Sequence, residues 1–241
     1  MTKEDHHLLK QKWAYEVLDL LGFKLHLSGS PDKATGNLIF IGNHISYLDI
    51  IVLFAVYPEA VFLSKSEVRH FPIIGAAAKR VGTLFVNRSS RESKAQARAE
   101  IQRLLEKPQS HHKIAVFPSG TTTLNEELPW KTGIFKIARD TNTPIQPFKV
   151  FYTPQRECAY IDKDNLFKSL MQLFKLKNKK IEFIWGHAFK ISDGDLNYQI
   201  ETVRAWTQEK ETTEKIVLPS FDSFKTGQKV DDKMCSHKVL A

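Results

Sequence analysis

An α/β fold with a mainly parallel sheet flanked by helices is what the sequence predicts, and three observations carry that expectation. Short apolar runs at residues 38–41, 60–63, 82–86, 114–117, 144–152 and 181–185 alternate with stretches of helical periodicity or dense charge. Strands separated by helices pair in parallel, because each crossover helix returns the chain to the same edge of the sheet. Small and polar residues gather where several of these runs end, which is where such sheets carry functional loops. With 241 residues and 42% hydrophobic content, the chain can bury one sizeable core, and nothing in its composition demands a second one.

Between residues 8 and 23, Leu9, Trp13, Val17, Leu20 and Leu21 recur at helical spacing, with Lys10, Lys12, Glu16 and Asp19 between them. This is an amphipathic helix that either caps the core or lies flat on a bilayer with Trp13 and Tyr15 at the interface. Residues 1–27 are assigned to it, residues 28–215 to the main domain, and the polar stretch 216–241 to a flexible tail. After the loop at 28–36, with Pro31 and two glycines, comes the first strand, 38–41. Helix follows to Tyr57, Pro58 ends it, and residues 60–63 read as the second strand. His70 to Gly75 turn into a short helix, the third strand ends at Asn87-Arg88, and residues 90–107 form a charged helix stopped by Pro108. The fourth strand, 114–117, runs into Pro118-Ser119-Gly120-Thr121-Thr122-Thr123, a loop whose amides and hydroxyls suit an anion and equally suit an ordinary turn. Helix at 133–139, strand at 144–152, helix at 164–180, strand at 181–185 and helix at 196–210 complete the order.

Within residues 164–180, Phe167, Leu170, Met171 and Phe174 follow an i, i+3, i+4, i+7 pattern, flanked by Lys163, Lys168, Lys175, Lys177, Lys179 and Lys180. The ordinary reading of such a stripe is a core face. The lysines add a second reading, contact with anionic lipid.

The 35 Lys and Arg against 27 Asp and Glu, a formal net charge of +8, favour anionic partners: a lipid surface, phosphorylated ligands or nucleic acid. Nucleic acid has only the charge in its favour, since no binding module accompanies it. Cys158 and Cys235 lie too far apart in sequence for a disulfide framework or a Cys-rich zinc site, which fits a reducing, cytoplasmic setting. No run approaches about 18 uninterrupted apolar residues, and Glu4 and Asp5 do not suit a signal peptide, so membrane contact is expected to be peripheral.

The stretch Asn43-His44-Ile45-Ser46-Tyr47-Leu48-Asp49 holds the most specific arrangement. Five helical steps of about 100° would leave His44 and Asp49 roughly 140° apart on one cylinder. They meet only if His44 lies on the turn after the strand and Asp49 in the first turn of the following helix. An imidazole bonded to a buried carboxylate has a fixed tautomer and a more basic free nitrogen, which suits deprotonation of an alcohol near neutral pH. The pattern taken alone also fits a core histidine beside a helix-initiating aspartate.

Four stretches in order resemble the glycerolipid and lysophospholipid acyltransferases, among them the 1-acyl-sn-glycerol-3-phosphate (lysophosphatidic acid) acyltransferases. Asn43-His44 with Asp49 resembles the His-x4-Asp block. Gly82-Thr83-Leu84-Phe85-Val86-Asn87-Arg88 resembles the second block, Phe117-Pro118-Ser119-Gly120-Thr121 the third, and Pro144-Ile145-Gln146-Pro147 the fourth. The likeness spans about residues 38–190, within the acyltransferase domain assigned to 28–215. It implies an O-acyltransferase of phospholipid biosynthesis that moves a fatty acyl group directly from a coenzyme A or acyl carrier protein thioester to a lysophospholipid hydroxyl. It implies His44 as general base, Asp49 as its orienting partner, Arg88 as a clamp on acceptor phosphate, and Ser119, Gly120, Thr121 and Thr122 at the acceptor head group. A guanidinium suits phosphate because its planar fork matches two oxygens at once. No metal and no permanently bound cofactor are implied, the thioester being a co-substrate, and the enzyme would work peripherally on the cytoplasmic face of a membrane, with no nucleic-acid partner.

The third block departs from the family, with Ser119 where glutamate is usual and Thr122 where arginine is usual. Losing a well-formed guanidinium contact removes about 1.5 to 3 kcal/mol of acceptor binding. Lys131, Arg91 or Lys94 could supply charge instead, or the acceptor is another lyso-lipid, such as a lyso-aminolipid of the ornithine type. A non-catalytic lipid-binding relative would show vesicle binding without turnover. Ser119 is not read as a hydrolase nucleophile, because the Gly-x-Ser-x-Gly elbow is missing. Adjacent His111 and His112 point to different faces and have no third ligand at metal spacing.

Overall fold

Helix α1 (Lys3–Leu20) leads into strands β1 (Phe23–Ser28) and β2 (Leu38–Gly42), helix α2 (Leu48–Val56), and strands β3 (Val61–Lys65) and β4 (Leu84–Val86). Helix α3 (Arg91–Glu106), strand β5 (Lys113–Val116), helix α4 (Gly133–Asp140) and strand β6 (Ile145–Thr153) follow. The short α5 (Gln155–Cys158), α6 (Leu166–Lys175), β7 (Lys179–Trp185), α7 (Leu196–Trp206) and β8 (Ile216–Val217) complete the order. This computed structural model describes residues 2–32, 36–65, 84–86, 91–107, 111–161, 164–209 and 216–217. The turn expected at residues 70–75 and nearly all of the tail assigned to 216–241 lie outside them.

The strands form one sheet in the order β4-β3-β5-β2-β6-β7-β1-β8. Pairings β1/β7, β2/β5, β2/β6, β3/β4 and β3/β5 are parallel, and β6/β7 and β1/β8 antiparallel. The expected class, α/β with a mainly parallel sheet flanked by helices, is the observed one. β2 is buried along its whole length, and its residues divide between two layers. Leu38 and Phe40 enter a core with α1, α2 and α6, while Ile39 and Ile41 enter one with α3, α4 and α7. A strand covered on both faces must read as a continuous apolar run, as this one does.

Three helices differ clearly in their bounds from the sequence reading, one of them the helix read at 196–210, which ends at Trp206. The helix read at 8–23 spans Lys3–Leu20, started by a capping box between Thr2 and Asp5. Phe23–Ser28, read as part of that segment, is a strand of the sheet instead. Its alternating Phe23, Leu25 and Leu27 have the period of two that a strand requires. The helix read at 164–180 ends at Lys175, because Lys179 turns inward. Its Nζ donates to the carbonyls of Leu173 and Leu176, the latter at 2.7 Å, satisfying the exposed C-terminal end of α6. Lys179 is 3% exposed and so is not part of the basic surface.

Candidate active site

Parallel pairing of β2 with both β5 and β6 brings the carboxyl ends of three strands to one edge. Gly42, the last residue of β2, is required there: a Cβ would lie 2.4 Å from the Phe148 ring. The next residue, Asn43, ties the turn to β6 by a reciprocal pair, donating to the Val150 carbonyl and accepting from its N–H, both at 2.8 Å.

His44 follows on that turn, and Asp49 is the second residue of α2. Nδ1 of His44 lies 2.7 Å from Oδ2 of Asp49. The same carboxylate accepts the N–H of Ile45 at 2.7 Å, the N–H of Ser46 at 3.0 Å, and the Tyr152 hydroxyl at 2.6 Å. Asp49 is 1% exposed, and an ionised carboxylate so deep requires this density of donors, with the α2 N-terminus adding a favourable dipole. Burial first, and the Asp49 charge second, hold the Tyr152 phenol well above its usual range, so it serves as a donor. An ionised Asp49 makes Nδ1 the protonated nitrogen of neutral His44, leaving Nε2 with the lone pair. The imidazole side chain remains 16% exposed.

The ring plane is fixed by Phe117, at the start of the loop after β5, stacked at 4.0 Å and 9°. The main chain of His44 is held at both ends. Its N–H donates to Glu126 Oε1 at 2.6 Å, and its carbonyl accepts from Thr123 N–H at 2.7 Å. Glu126 is 2% exposed and has φ of 48°. Its Oε2 accepts from the Trp130 indole at 2.7 Å, while its carbonyl accepts from Arg204 of α7 at 2.7 Å. Burial pushes the Glu126 carboxyl upward, against the pull of the Trp130 and His44 N–H groups, and the Asp49 charge pushes the same way as burial. Beside this turn lies a cavity of about 320 Å³ lined by Asn43, Ile45, Leu124, Glu126, Phe151 and Gln155, with neighbours from the end of α7.

The 118–123 loop adjoins His44 through Phe117 and Thr123. Gly120 takes φ of 76°, a left-handed conformation a side chain would resist, and its N–H closes a turn on the Phe117 carbonyl at 3.0 Å. Ser119 is 3% exposed, and its hydroxyl donates to the Thr121 carbonyl at 3.0 Å, back into its own loop. Thr121 and Thr122 are half-buried. Lys131 reaches this loop through its backbone, donating to the Pro118 carbonyl at 3.1 Å. Arg88 lies outside the described residues, as do the side chains of Arg91 and Lys94. Among the described residues no group of three or more His, Cys, Asp and Glu side chains could hold a metal ion, His111 and His112 included.

Sequence reading thus marked His44, Asp49 and the 118–123 loop, which the structure brings together, and missed Tyr152 and Glu126. Tyr152 sits 103 positions from Asp49 on a strand whose period shows only that it faces inward. Glu126 stands beside Glu127 in a loop, where an acidic pair reads as solvated surface.

A family model described as acyltransferase matches residues 24–150. A lyso-ornithine lipid O-acyltransferase of Pseudomonas aeruginosa is 32% identical over 172 residues, covering 69% of this chain and 64% of that protein. A 1-acyl-sn-glycerol-3-phosphate acyltransferase of Neisseria meningitidis is 31% identical over 130 residues, covering 54% of this chain and 49% of that one. These matches span about half to two thirds of the relatives' own lengths. The crystal structure of the 1-acyl-sn-glycerophosphate acyltransferase from Thermotoga maritima superposes with a TM-score of 0.60 at 19% identity, over 83% of this chain and 78% of that one. At that identity the likeness shows a common fold.

Proposed function

The chain belongs to the acyltransferase family, and from that premise we propose that it moves a fatty acyl group from a thioester to the free hydroxyl of a lyso-lipid. The observation carrying this reading is the half-buried His44 imidazole, its Nδ1 held by the buried Asp49 carboxylate at the carboxyl end of β2. His44 Nε2 takes the proton of the acceptor hydroxyl as its oxygen attacks the thioester carbonyl. The tetrahedral intermediate then collapses, the C–S bond breaks, and the departing thiolate takes the proton back from His44. Asp49 stays ionised throughout and stabilises the transient imidazolium. No covalent acyl-enzyme forms. The intermediate's oxyanion calls for backbone N–H donors, for which the 118–123 loop beside His44 is the candidate.

Acyl-coenzyme A and acyl carrier protein are both suited to the basic surface, one through its phosphates and the other through acidic side chains. Lysophosphatidic acid is the first acceptor proposed, with Arg88 on its phosphate and Gly120, Thr121 and Thr122 at its head group. A second reading, a lyso-aminolipid of the ornithine type, is favoured by Ser119 and Thr122 standing in place of the usual charged pair. The names of several relatives point the same way. For either acceptor the protein would work at a membrane surface, and among the described residues no helix is long and apolar enough to cross one.

The test is turnover by the purified chain with each lyso-lipid against each thioester, with folded His44→Ala as control. Transfer that requires His44 is expected, and the acceptor used most efficiently decides between the readings. Unchanged transfer by His44→Ala overturns the mechanism, and vesicle binding with no transfer to any acceptor leaves a non-catalytic lipid binder.

A further inference from the structure

Helix α6 packs on the core through Ser169 and Leu173, which are 8% and 0% exposed. The apolar set at i, i+3, i+4 and i+7 points the other way. Phe167 is 72% exposed, Leu170 37%, Met171 45% and Phe174 52%. The stripe that periodicity alone assigns to a core is therefore uncovered, which is unusual for a soluble surface. Lys168, Lys175, Lys177 and Lys180 are exposed around it, and residues 165–178 contain no Asp or Glu. The neighbouring Asp164 is held by Arg156 at 3.0 Å.

The helix also adjoins the site. Tyr47, inside the turn between His44 and Asp49, has its hydroxyl beside Ser169. Its ring meets Tyr160 edge-on at 5.3 Å, and Tyr160 N–H donates to the Ile45 carbonyl at 3.0 Å.

We propose that the outer face of α6 docks on an anionic lipid bilayer, with Phe167, Leu170, Met171 and Phe174 entering the interface and the four lysines meeting headgroup charge. Apolar burial and electrostatic attraction are the two contributions that hold an amphipathic helix in an interface, and α6 presents both on one side. A second copy of the chain fits less well, because a two-fold contact through this face would bring the lysine rims together. The inference rests on the lipid-acceptor reading for its purpose: docking here sets the Tyr47 side of the site against the membrane that holds the acceptor.

The experiment is co-sedimentation of the full chain with phosphatidylcholine vesicles, with and without phosphatidylglycerol, at low and high salt. Wild type is expected to bind the anionic vesicles and to release with salt. Phe167→Ser with Phe174→Ser should lower the partition coefficient by at least about tenfold. Lys168→Gln with Lys175→Gln should lower it by about tenfold on anionic vesicles and leave neutral ones unaffected. Met171→Glu serves as a second probe of the apolar face. Binding by all three variants equal to wild type overturns the proposal. So does a wild-type dimer in sedimentation equilibrium that the phenylalanine variant loses, or binding to acyl carrier protein that the variant loses while vesicle binding persists. Binding is read without turnover, so an inactive chain that still docks sinks the acyl-transfer reading alone, and an active chain that docks elsewhere sinks this one alone.

Discussion

The turn after β2 and the loop after β5 lie side by side at the same sheet edge, and they treat their polar groups in opposite ways. In the first, Asp49 collects two backbone N–H groups, a phenol and an imidazole on two oxygens. In the second, the buried Ser119 hydroxyl is spent on its own loop, and the buried Thr123 hydroxyl has no partner among the described residues. A proton acceptor has to be pre-oriented before substrate arrives, so its supports belong to the protein. A head-group site must leave donors and acceptors for the ligand. Under the proposed function, that contrast puts proton transfer in the first turn and acceptor choice in the side chains of the second, whose backbone N–H groups remain the candidate donors to the oxyanion.

Substitutions can break that contrast, and the largest effect falls on the first turn. His44→Ala should lower kcat by about 10²- to 10⁴-fold, the usual weight of a general base, and should also cost about 1–3 kcal/mol of stability, because the ring is only 16% exposed and is one of the donors to buried Asp49. Steady-state kinetics beside urea unfolding check both parts.

Next comes Tyr152→Phe, which removes one donor from a buried carboxylate. A loss of about 1–3 kcal/mol in stability is expected, with a smaller fall in kcat than for His44→Ala. Unchanged stability in urea would mean that Asp49 is served well enough by its other three donors.

Glu126→Gln should reduce kcat by up to about tenfold, since an amide in place of the carboxylate weakens the grip on His44 N–H. Its pH signature separates positioning from general damage. The Glu126 carboxyl is raised from 4.5 by burial, so the unfolded chain ionises first as pH rises. Stability is therefore lost between the ordinary carboxylate value and the raised one. Wild type should lose stability relative to Glu126→Gln as pH rises above the ordinary carboxylate value of about 4, and parallel curves would be the contrary result.

The smallest effect belongs to the second loop. Ser119→Glu with Thr122→Arg should leave the pH profile of kcat alone and improve KM for lysophosphatidic acid by a few-fold to about tenfold. A collapse of kcat would mean that the side chains at 119 and 122, and not only the loop's backbone N–H groups, bear on the chemistry.

Much of the architecture is legible in one dimension because it follows from local patterns. The apolar run Leu38–Gly42 requires two covered faces, and the five-residue separation of His44 and Asp49 requires a strand, a turn and a helix between layers. The strand Phe23–Ser28 was equally local, yet its alternation was masked by an adjoining helical period. Tyr152 and Glu126 left no such trace, since a hydrogen bond across 103 or 82 residues exists only once parallel pairing has set the strand ends together.

By itself the sequence determined the class of fold, the His44–Asp49 pair and the apolar stripe on residues 167–174. Tertiary structure alone decided which donors bond and orient that pair, and that the stripe faces outward rather than into the core. The physical reason is the same in each case. Periodicity is a property of one element, whereas burial and hydrogen bonding depend on what the rest of the chain packs against it.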